Sequence, residues 1–182
     1  MRAGPSRIIG EVSWRTLLPW VVVLVVAGLA GRSVLDGGDD GERGGGARSP
    51  ATVVRVVDGD TIQVRLSDGA LERVRYIGID TPESVKPNTP VQCFAKAASA
   101  FNERLVAGRR VTLVSDVEKR DRYGRLLAYV YRRPDGLFVN EELVQRGYAR
   151  PLTIPPDVRF SARFTRLAGD ARRAARGLWA AC

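Results

Sequence analysis

The chain has 182 residues, of which 29 are Lys or Arg and 20 are Asp or Glu, and its formal net charge is +9. This length suffices for one compact domain with a tail, and the basic excess suits either a nucleic-acid partner or a solubilising surface. With no histidine and two cysteines, the chain excludes Ser-His or Cys-His catalysis and a zinc site built on Cys-x-x-Cys. Any catalysis must therefore be carried by carboxylates, arginines and a metal ion.

The first predicted element is an uncharged apolar run at residues 17–30, which follows a short basic segment. The run is short for a membrane span, which needs about 20 residues, and its small-residue exit is typical of an export signal. We predict that residues 1–31 are a signal peptide or an uncleaved membrane anchor. Residues 32–50 are rich in glycine and charge, which predicts a flexible linker. The rest of the chain is expected to be secreted or held at the cell surface.

Residues 51–182 are predicted to form one α+β domain. Runs of β-branched residues between Gly and Asp turns predict five strands, at 51–57, 61–66, 72–79, 111–114 and 125–131. Apolar residues at helical spacing predict three helices, which are one ending near residue 106, a short one capped by Asn140 and stopped by Gly147, and one from about residue 160. This order of elements predicts a five-stranded OB-type β-barrel closed by three α-helices.

Charged side chains gather where the predicted strands end. Asp60 lies in the first turn, and the third strand carries Arg75 and stops at a proline that separates Asp80 from Glu83. A third turn carries Arg125. Carboxylate oxygens suit a hard divalent cation, and paired arginines suit a phosphate. The pattern therefore favours a metal-assisted phosphodiesterase.

Each of these motifs also has a structural interpretation. Asp58 could simply form a hairpin turn, residues 80–83 could be a capping motif before a helix, and Arg75 and Arg125 could be surface charges, as most arginines are. Tyr123 could be an aromatic of the core or rim. On that interpretation the domain is a non-catalytic OB module that binds nucleic acid.

Five motifs follow one another along the chain: VDGDT at 57–61, Arg75 followed by IDTPE at 79–83, DRYGRLLAY at 121–129, NEELV with a later glycine at 140–147, and GLW at 177–179. In order and spacing, these motifs resemble those of the staphylococcal nuclease (thermonuclease) family. The resemblance covers residues 51–182. It implies an OB-fold barrel with three helices and a calcium-dependent endonuclease that cuts DNA and RNA to leave 3′-phosphate and 5′-hydroxyl ends.

The resemblance also implies a metal site. Asp60 and Asp80 resemble the carboxylate ligands of calcium, and Thr81 resembles a ligand through its backbone carbonyl. Oxygen ligands without histidine favour calcium over zinc, and magnesium, which uses the same ligand atoms, is the second choice.

The remaining motif residues resemble the catalytic groups of the family. Glu83 resembles the proposed general base, and Arg75 and Arg125 resemble the two arginines that grip the scissile phosphate. Tyr123 matches a tyrosine that contacts the nucleotide. The chain departs from the family near residues 152–153, where a second nucleotide-stacking tyrosine would fall and none is present.

The predicted export bears on the two cysteines. Outside the cytoplasm cysteines are commonly oxidised, so we hypothesise a disulfide between Cys93 and Cys182. The sequence has no feature that favours an oligomer, and a monomer is expected, with DNA and RNA as substrates and a membrane contact through residues 1–31 if the anchor is retained.

Overall fold

The structure is a computed structural model that describes residues 46–82 and 90–182. The predicted signal or anchor segment, residues 32–45 of the predicted linker, and Glu83 lie outside the described residues. Within the described ranges, no helix combines the length and the apolar character that crossing a membrane requires.

The described chain folds into strands and helices in the order that the sequence predicts, with short additions. The elements are β1 (Arg48–Asp58), β2 (Thr61–Leu66), β3 (Leu71–Tyr76), β4 (Ile79–Asp80), α1 (Ala95–Val106), β5 (Arg110–Val114), β6 (Leu126–Arg132), α2 (Val139–Gln145), β7 (Arg150–Pro151), α3 (Ser161–Arg173) and α4 (Leu178–Ala181). β1 begins three residues before the expected start of the domain at residue 51.

Five strands close into a barrel in the order β1-β2-β3-β6-β5. All neighbours are antiparallel except β3 and β6, which pair in parallel, and β5 closes the barrel by pairing with β1. The pairing of β1 with β2 shifts register between Val53 and Arg55 and again between Val56 and Asp58. Such bulges bend a strand, as a small closed barrel requires. The predicted α+β fold with a five-stranded OB-type barrel is confirmed.

The barrel is filled by β-branched and aliphatic side chains that alternate along the strands with outward-facing residues. Each fully buried side chain of this kind contributes about 1.5–3 kcal/mol relative to exposure. Interior residues that are at most 4% exposed include Ile62, Val64, Val74, Val111, Leu113 and Val130.

An aromatic cluster fixes α3 against the barrel. Phe164 of α3 is fully buried, and the rings of Phe138 and Phe160 lie 5.7 and 6.0 Å from it, centre to centre. Tyr129 of β6 meets Phe160 edge-on at 4.7 Å. Offset or edge-on aromatic pairs stabilise beyond their buried area, so this cluster joins the sheet, the start of α2 and α3.

The prediction that Asn140 caps α2 is wrong. The residue at the cap position is Phe138, and the buried side chain of Asn140 points to the barrel. Its Oδ1 accepts from the backbone N–H of Val130, and its Nδ2 donates to the carbonyl of Ile77, both at 2.9 Å. Buried backbone groups need partners, and Asn140 supplies two of them. It thereby ties α2 to β6 and to the residue just after β3.

The predicted strand 72–79 is divided in two. Gly78 has a φ of +78°, and a Cβ there would lie 2.7 Å from the ring of Phe164, so the position requires glycine. The chain turns out of the barrel at this point and pairs instead with β7, where Asp80 lies opposite Arg150. This turn is what brings Asp80 to the rim.

The hypothesised disulfide between Cys93 and Cys182 is confirmed, with a Cα–Cα distance of 6.0 Å. It joins the segment just before α1 to the residue just after α4, across a sequence separation of 89. In the chain-entropy model, closing a loop of this length stabilises the fold by about 4–5 kcal/mol.

Candidate active site

The hairpin between β1 and β2 supplies the first element of the site. Asp58 pairs with Thr61 across the turn, and the Oδ1 of Asp58 accepts from the backbone N–H of Asp60 at 3.1 Å. A Cβ on Gly59 would lie 2.6 Å from the Oγ1 of Thr81, so glycine is needed where the hairpin meets the chain after β4. Asp58 therefore stabilises the turn, while the carboxylate of Asp60 faces the site.

Asp60 is held in place by the strand ends around it. The residue is 5% exposed, and its Oδ2 accepts from the backbone N–H of Thr81 at 2.7 Å and from the Thr81 hydroxyl at 3.0 Å. Its Oδ1 accepts from the hydroxyl of Thr61 at 3.2 Å. The hydroxyl of Thr81 is thus engaged with Asp60 rather than capping a helix, which weakens the capping interpretation of residues 80–83.

Arg75 joins the two predicted metal-ligating carboxylates. It lies opposite Thr61 in the β2–β3 ladder, and its side chain is 14% exposed. One terminal nitrogen is ion-paired with the Oδ1 of Asp60, and the other donates to the Oδ1 of Asp80 at 2.9 Å. The side chain of Asp80 is 56% exposed. A single guanidinium therefore lies within reach of a buried and an accessible carboxylate.

The donor atoms of this cluster suit calcium or magnesium. Asp60 and Asp80 contact the same guanidinium, so their carboxylates converge on one position that a cation occupies. Thr81, the residue after Asp80, adds a backbone carbonyl. Two carboxylates and one guanidinium give the cluster a negative formal charge. In the ranges 46–82 and 90–182 no group of three or more Asp, Glu, His or Cys is placed to hold a metal. Since calcium takes six to eight oxygens, water and substrate would have to complete the set.

Asp121 orients the second arginine, and sequence reasoning gave it no role. Its Oδ2 accepts from the Nε of Arg125 at 2.7 Å, and its Oδ1 accepts from the backbone N–H groups of Tyr123 and Arg125. Burial acts to raise the pKa of Asp121, but these hydrogen bonds outweigh it and hold the pKa below its ordinary value. The four-residue spacing from Asp121 to Arg125 across a glycine turn was the available signal.

Tyr123 is a rim aromatic. It is 68% exposed, and the guanidinium carbons of Arg122 and Arg125 lie 4.9 and 5.4 Å from its ring centre. The Nη2 of Arg122 donates to the Tyr123 hydroxyl at 2.8 Å. The ring is thus held by two cations at the surface, where a nucleobase can reach it.

One groove of about 550 Å³ brings the arginines and the tyrosine together. Arg75, Arg125 and Tyr123 line it, and Leu152 and Ile154 add an apolar wall. Leu152 and Ile154 are 38% and 59% exposed, in the region where the family's second tyrosine is missing. The predicted site residues thus form two connected groups: Asp60, Asp80 and Thr81 around Arg75, and Arg75, Arg125 and Tyr123 along the groove.

The two arginines of the groove act on each other. Burial lowers the pKa of Arg75, the carboxylates of Asp80 and Asp58 oppose that shift, and the positive charge of Arg125 adds to it. Arg75 nevertheless stays protonated at neutral pH, since arginine does not deprotonate in proteins. Two like charges facing one groove form a site for a shared anion such as a phosphodiester.

The comparisons with known proteins point to one family. Residues 73–181 match the model of the family described as staphylococcal nuclease homologue. A thermonuclease of Staphylococcus hyicus is 42% identical over 127 residues, which cover 70% of this chain and 73% of the relative. A thermonuclease of Staphylococcus intermedius is 45% identical over 127 residues, 70% of this chain and 74% of the relative. Endonuclease YncB of Bacillus subtilis (strain 168) is 47% identical over 100 residues, 54% of this chain and 46% of the relative.

Proposed function

The chain belongs to the staphylococcal nuclease family, and from that premise we propose that it is a metal-dependent endonuclease. Its substrates are DNA and RNA, its metal is calcium, and its products end in 3′-phosphate and 5′-hydroxyl groups. The observation that carries the proposal is the joint placement of Arg75 and Arg125 on one groove, with Asp60 and Asp80 bound to Arg75 at its edge.

The carboxylates of Asp60 and Asp80, with the backbone carbonyl of Thr81, would hold the metal. When bound, a calcium ion supplies Lewis-acid stabilisation of charge on a phosphate oxygen. Asp60 is preorganised for this role because Thr81 fixes one of its oxygens through two hydrogen bonds. Asp80, being half exposed, is the carboxylate that can adjust to the ligand.

Arg75 and Arg125 bind the scissile phosphate and stabilise the negative charge that grows on its oxygens. Each guanidinium is oriented by carboxylates, Arg75 by Asp60 and Asp80 and Arg125 by Asp121. Such donors need no reorganisation as the charge develops, and losing one costs about 10²–10³ in rate. Their fork geometry matches two phosphate oxygens at once.

Glu83 is the proposed general base, three residues after Asp80 in the chain. Its carboxylate takes a proton from the attacking water as the water oxygen bonds to phosphorus and the bond from phosphorus to the 5′-oxygen breaks. The 5′-oxygen leaves as a hydroxyl after gaining a proton from solvent, and the phosphate stays on the 3′ side. Arg125 keeps its proton throughout.

Secretion or surface tethering is part of the proposal. It is supported by the basic segment before residue 17 and the apolar run at residues 17–30. The disulfide between Cys93 and Cys182 also supports it, because disulfides persist mainly outside the reducing cytoplasm. The mass of the mature protein from its native host would separate a cleaved signal from a retained anchor.

The decisive experiment is cleavage of single-stranded DNA by the purified full chain with calcium, with magnesium and with chelator. Calcium-dependent cutting that leaves 3′-phosphate ends is expected. Glu83→Gln should abolish turnover and leave DNA binding in place. If the protein bound DNA in a salt-sensitive way but cut it with no divalent ion, the nuclease function would be refuted. The chain would then be an OB module that only binds nucleic acid.

A further inference from the structure

A second groove of about 420 Å³ lies on the outer surface of the barrel. We call it the basic groove, since Arg48, Arg65, Arg110 and Arg133 line it, and all four are exposed. It shares no lining residue with the groove of the candidate active site. The chemistry described above gives it no role.

Three of these arginines stand in a row across the strands. Thr52 of β1 pairs with Arg65 of β2 on one side and with Arg110 of β5 on the other. The backbone N–H of Arg133, just after β6, donates to the carbonyl of Arg110 at 2.9 Å. Directly paired residues project from the same face of a sheet, and strands lie about 4.8 Å apart. The row from Arg65 to Arg133 is therefore about 14 Å long.

The row is not ion-paired within the part of the chain that the structure describes. None of the four arginines takes part in a salt bridge there, and no described lining residue of the basic groove is acidic. Arg110 and Arg133 are direct neighbours across the pair of strands, and like charges directly opposite each other destabilise a sheet, so an anion bound here would relieve that repulsion. Guanidinium groups spaced along a groove match successive phosphates.

The position of the row relates it to the candidate active site. Thr61 of β2 pairs with Arg75 of the candidate active site, and Arg65 lies four residues after Thr61 on the same strand. At about 3.3 Å per residue, Arg65 is therefore about 13 Å along β2 from the position paired with Arg75. A stacked nucleic-acid strand rises about 3.4 Å per nucleotide, so about four nucleotides cover this distance.

We propose that the basic groove binds the phosphate backbone of a nucleic-acid strand several nucleotides from the scissile bond and so retains long substrates. This inference rests on the proposed nuclease function. A chain-like polyanion fits better than an anionic membrane, because surface binding to lipid also uses exposed apolar side chains. None of the exposed large hydrophobic residues of the described chain lines the basic groove.

The test compares two triple variants of the full chain with equal charge loss. The row variant carries Arg65→Gln, Arg110→Gln and Arg133→Gln. The matched control carries Lys96→Gln, Arg104→Gln and Arg166→Gln, at exposed positions of α1 and α3. Thermal unfolding of both confirms that each variant folds.

Binding of a long fluorescent single-stranded DNA is measured by anisotropy in chelator at several salt concentrations. Log affinity falls with log salt concentration, and each lost phosphate contact makes this slope shallower by about 0.7. The slope of the row variant should therefore be shallower than that of the wild type by about 2, and the control should keep the wild-type slope. In calcium, the KM for the long DNA should rise about tenfold or more in the row variant alone. Equal slopes and affinities in the row variant and the wild type would overturn the proposal.

Vesicles containing phosphatidylserine separate the two sources of phosphate. Loss of vesicle binding in the row variant, with DNA affinity retained, would reassign the basic groove to a membrane surface and overturn the proposal. The binding measurement needs no turnover. A wild-type protein that cuts no nucleic acid would thus overturn the nuclease function, whereas a slope unchanged by the row substitutions would overturn the role of the basic groove.

Discussion

The two ends of the β1–β2 hairpin use arginine in opposite ways. At the turn end, Arg75 is 14% exposed and is ion-paired with Asp60 and Asp80. At the other end, Arg65 and Arg110 are exposed on either side of Thr52 and take part in no salt bridge of the described chain. A guanidinium fixed by carboxylates is positioned for chemistry, and an uncompensated one attracts a polyanion without fixing its register. The comparison predicts that substitutions at the turn end affect stability and rate, and those at the other end affect affinity and salt dependence.

The largest expected effect on stability is that of Asp60→Ala. It leaves Arg75 buried without its closest carboxylate, and breaking a buried pair costs about 3–5 kcal/mol. Asp80→Ala, at a half-exposed carboxylate, should cost about 0–1 kcal/mol. Urea unfolding in chelator measures both. Equal losses for the two variants would contradict the distinction between a buried and an accessible carboxylate.

The next effect is on rate. Arg75→Lys keeps the positive charge but cannot contact Asp60 and Asp80 with two separate nitrogens. Single-turnover cleavage of DNA in calcium should therefore slow by about 10²–10³. Arg104→Lys, at an exposed position of α1, should cut at the wild-type rate. If the Arg75→Lys variant cut DNA as fast as the wild type, a positive charge at position 75 would be enough for the rate and the shape of the guanidinium would not matter.

A smaller effect is expected in acid. The pKa of Asp121 is depressed in the folded state, so its stabilising contribution is present above the unfolded pKa of about 3.9 and is lost as pH falls through the lower folded value. The unfolding free energy of Asp121→Asn should therefore fall less between pH 7 and pH 2 than that of the wild type. Urea titrations at a series of pH values test this. Parallel pH profiles would mean that Asp121 does not hold Arg125 through its charge.

The smallest effect concerns the basic groove. Replacing Arg65, Arg110 and Arg133 by Gln removes the repulsion between the neighbouring Arg110 and Arg133, which should raise the unfolding free energy by about 0.2–1 kcal/mol at low salt. The gain should vanish at high salt, where exposed charges are screened. Destabilisation at low salt would instead indicate that the row is compensated.

Much of the architecture follows from the sequence because hydrophobic periodicity and turn residues are local signals. The β-branched runs and the Asp58-Gly59 turn predict the strands of the barrel, and the motif spacing predicts the carboxylates and arginines of the candidate site. The divided third strand was missed because its cause is tertiary: Gly78 is required by the ring of Phe164, which is distant in the chain. The prediction that Asn140 caps α2 was wrong for the same kind of reason, since its side chain hydrogen-bonds to buried backbone groups of β6 and Ile77 instead.

By itself, the sequence determined which chemistry is available: a chain without histidine, with oxygen ligands and arginines at strand ends, and with two cysteines that can pair. Only the tertiary structure decided which of these groups meet. Barrel closure brings β3 beside β6, and the groove on that side of the barrel is lined by both Arg75 and Arg125. Closure of β5 onto β1 likewise places Arg110 two strands from Arg65. Residue type sets the charge and the donor atoms, but strand pairing sets the distances, and electrostatic interaction depends on distance.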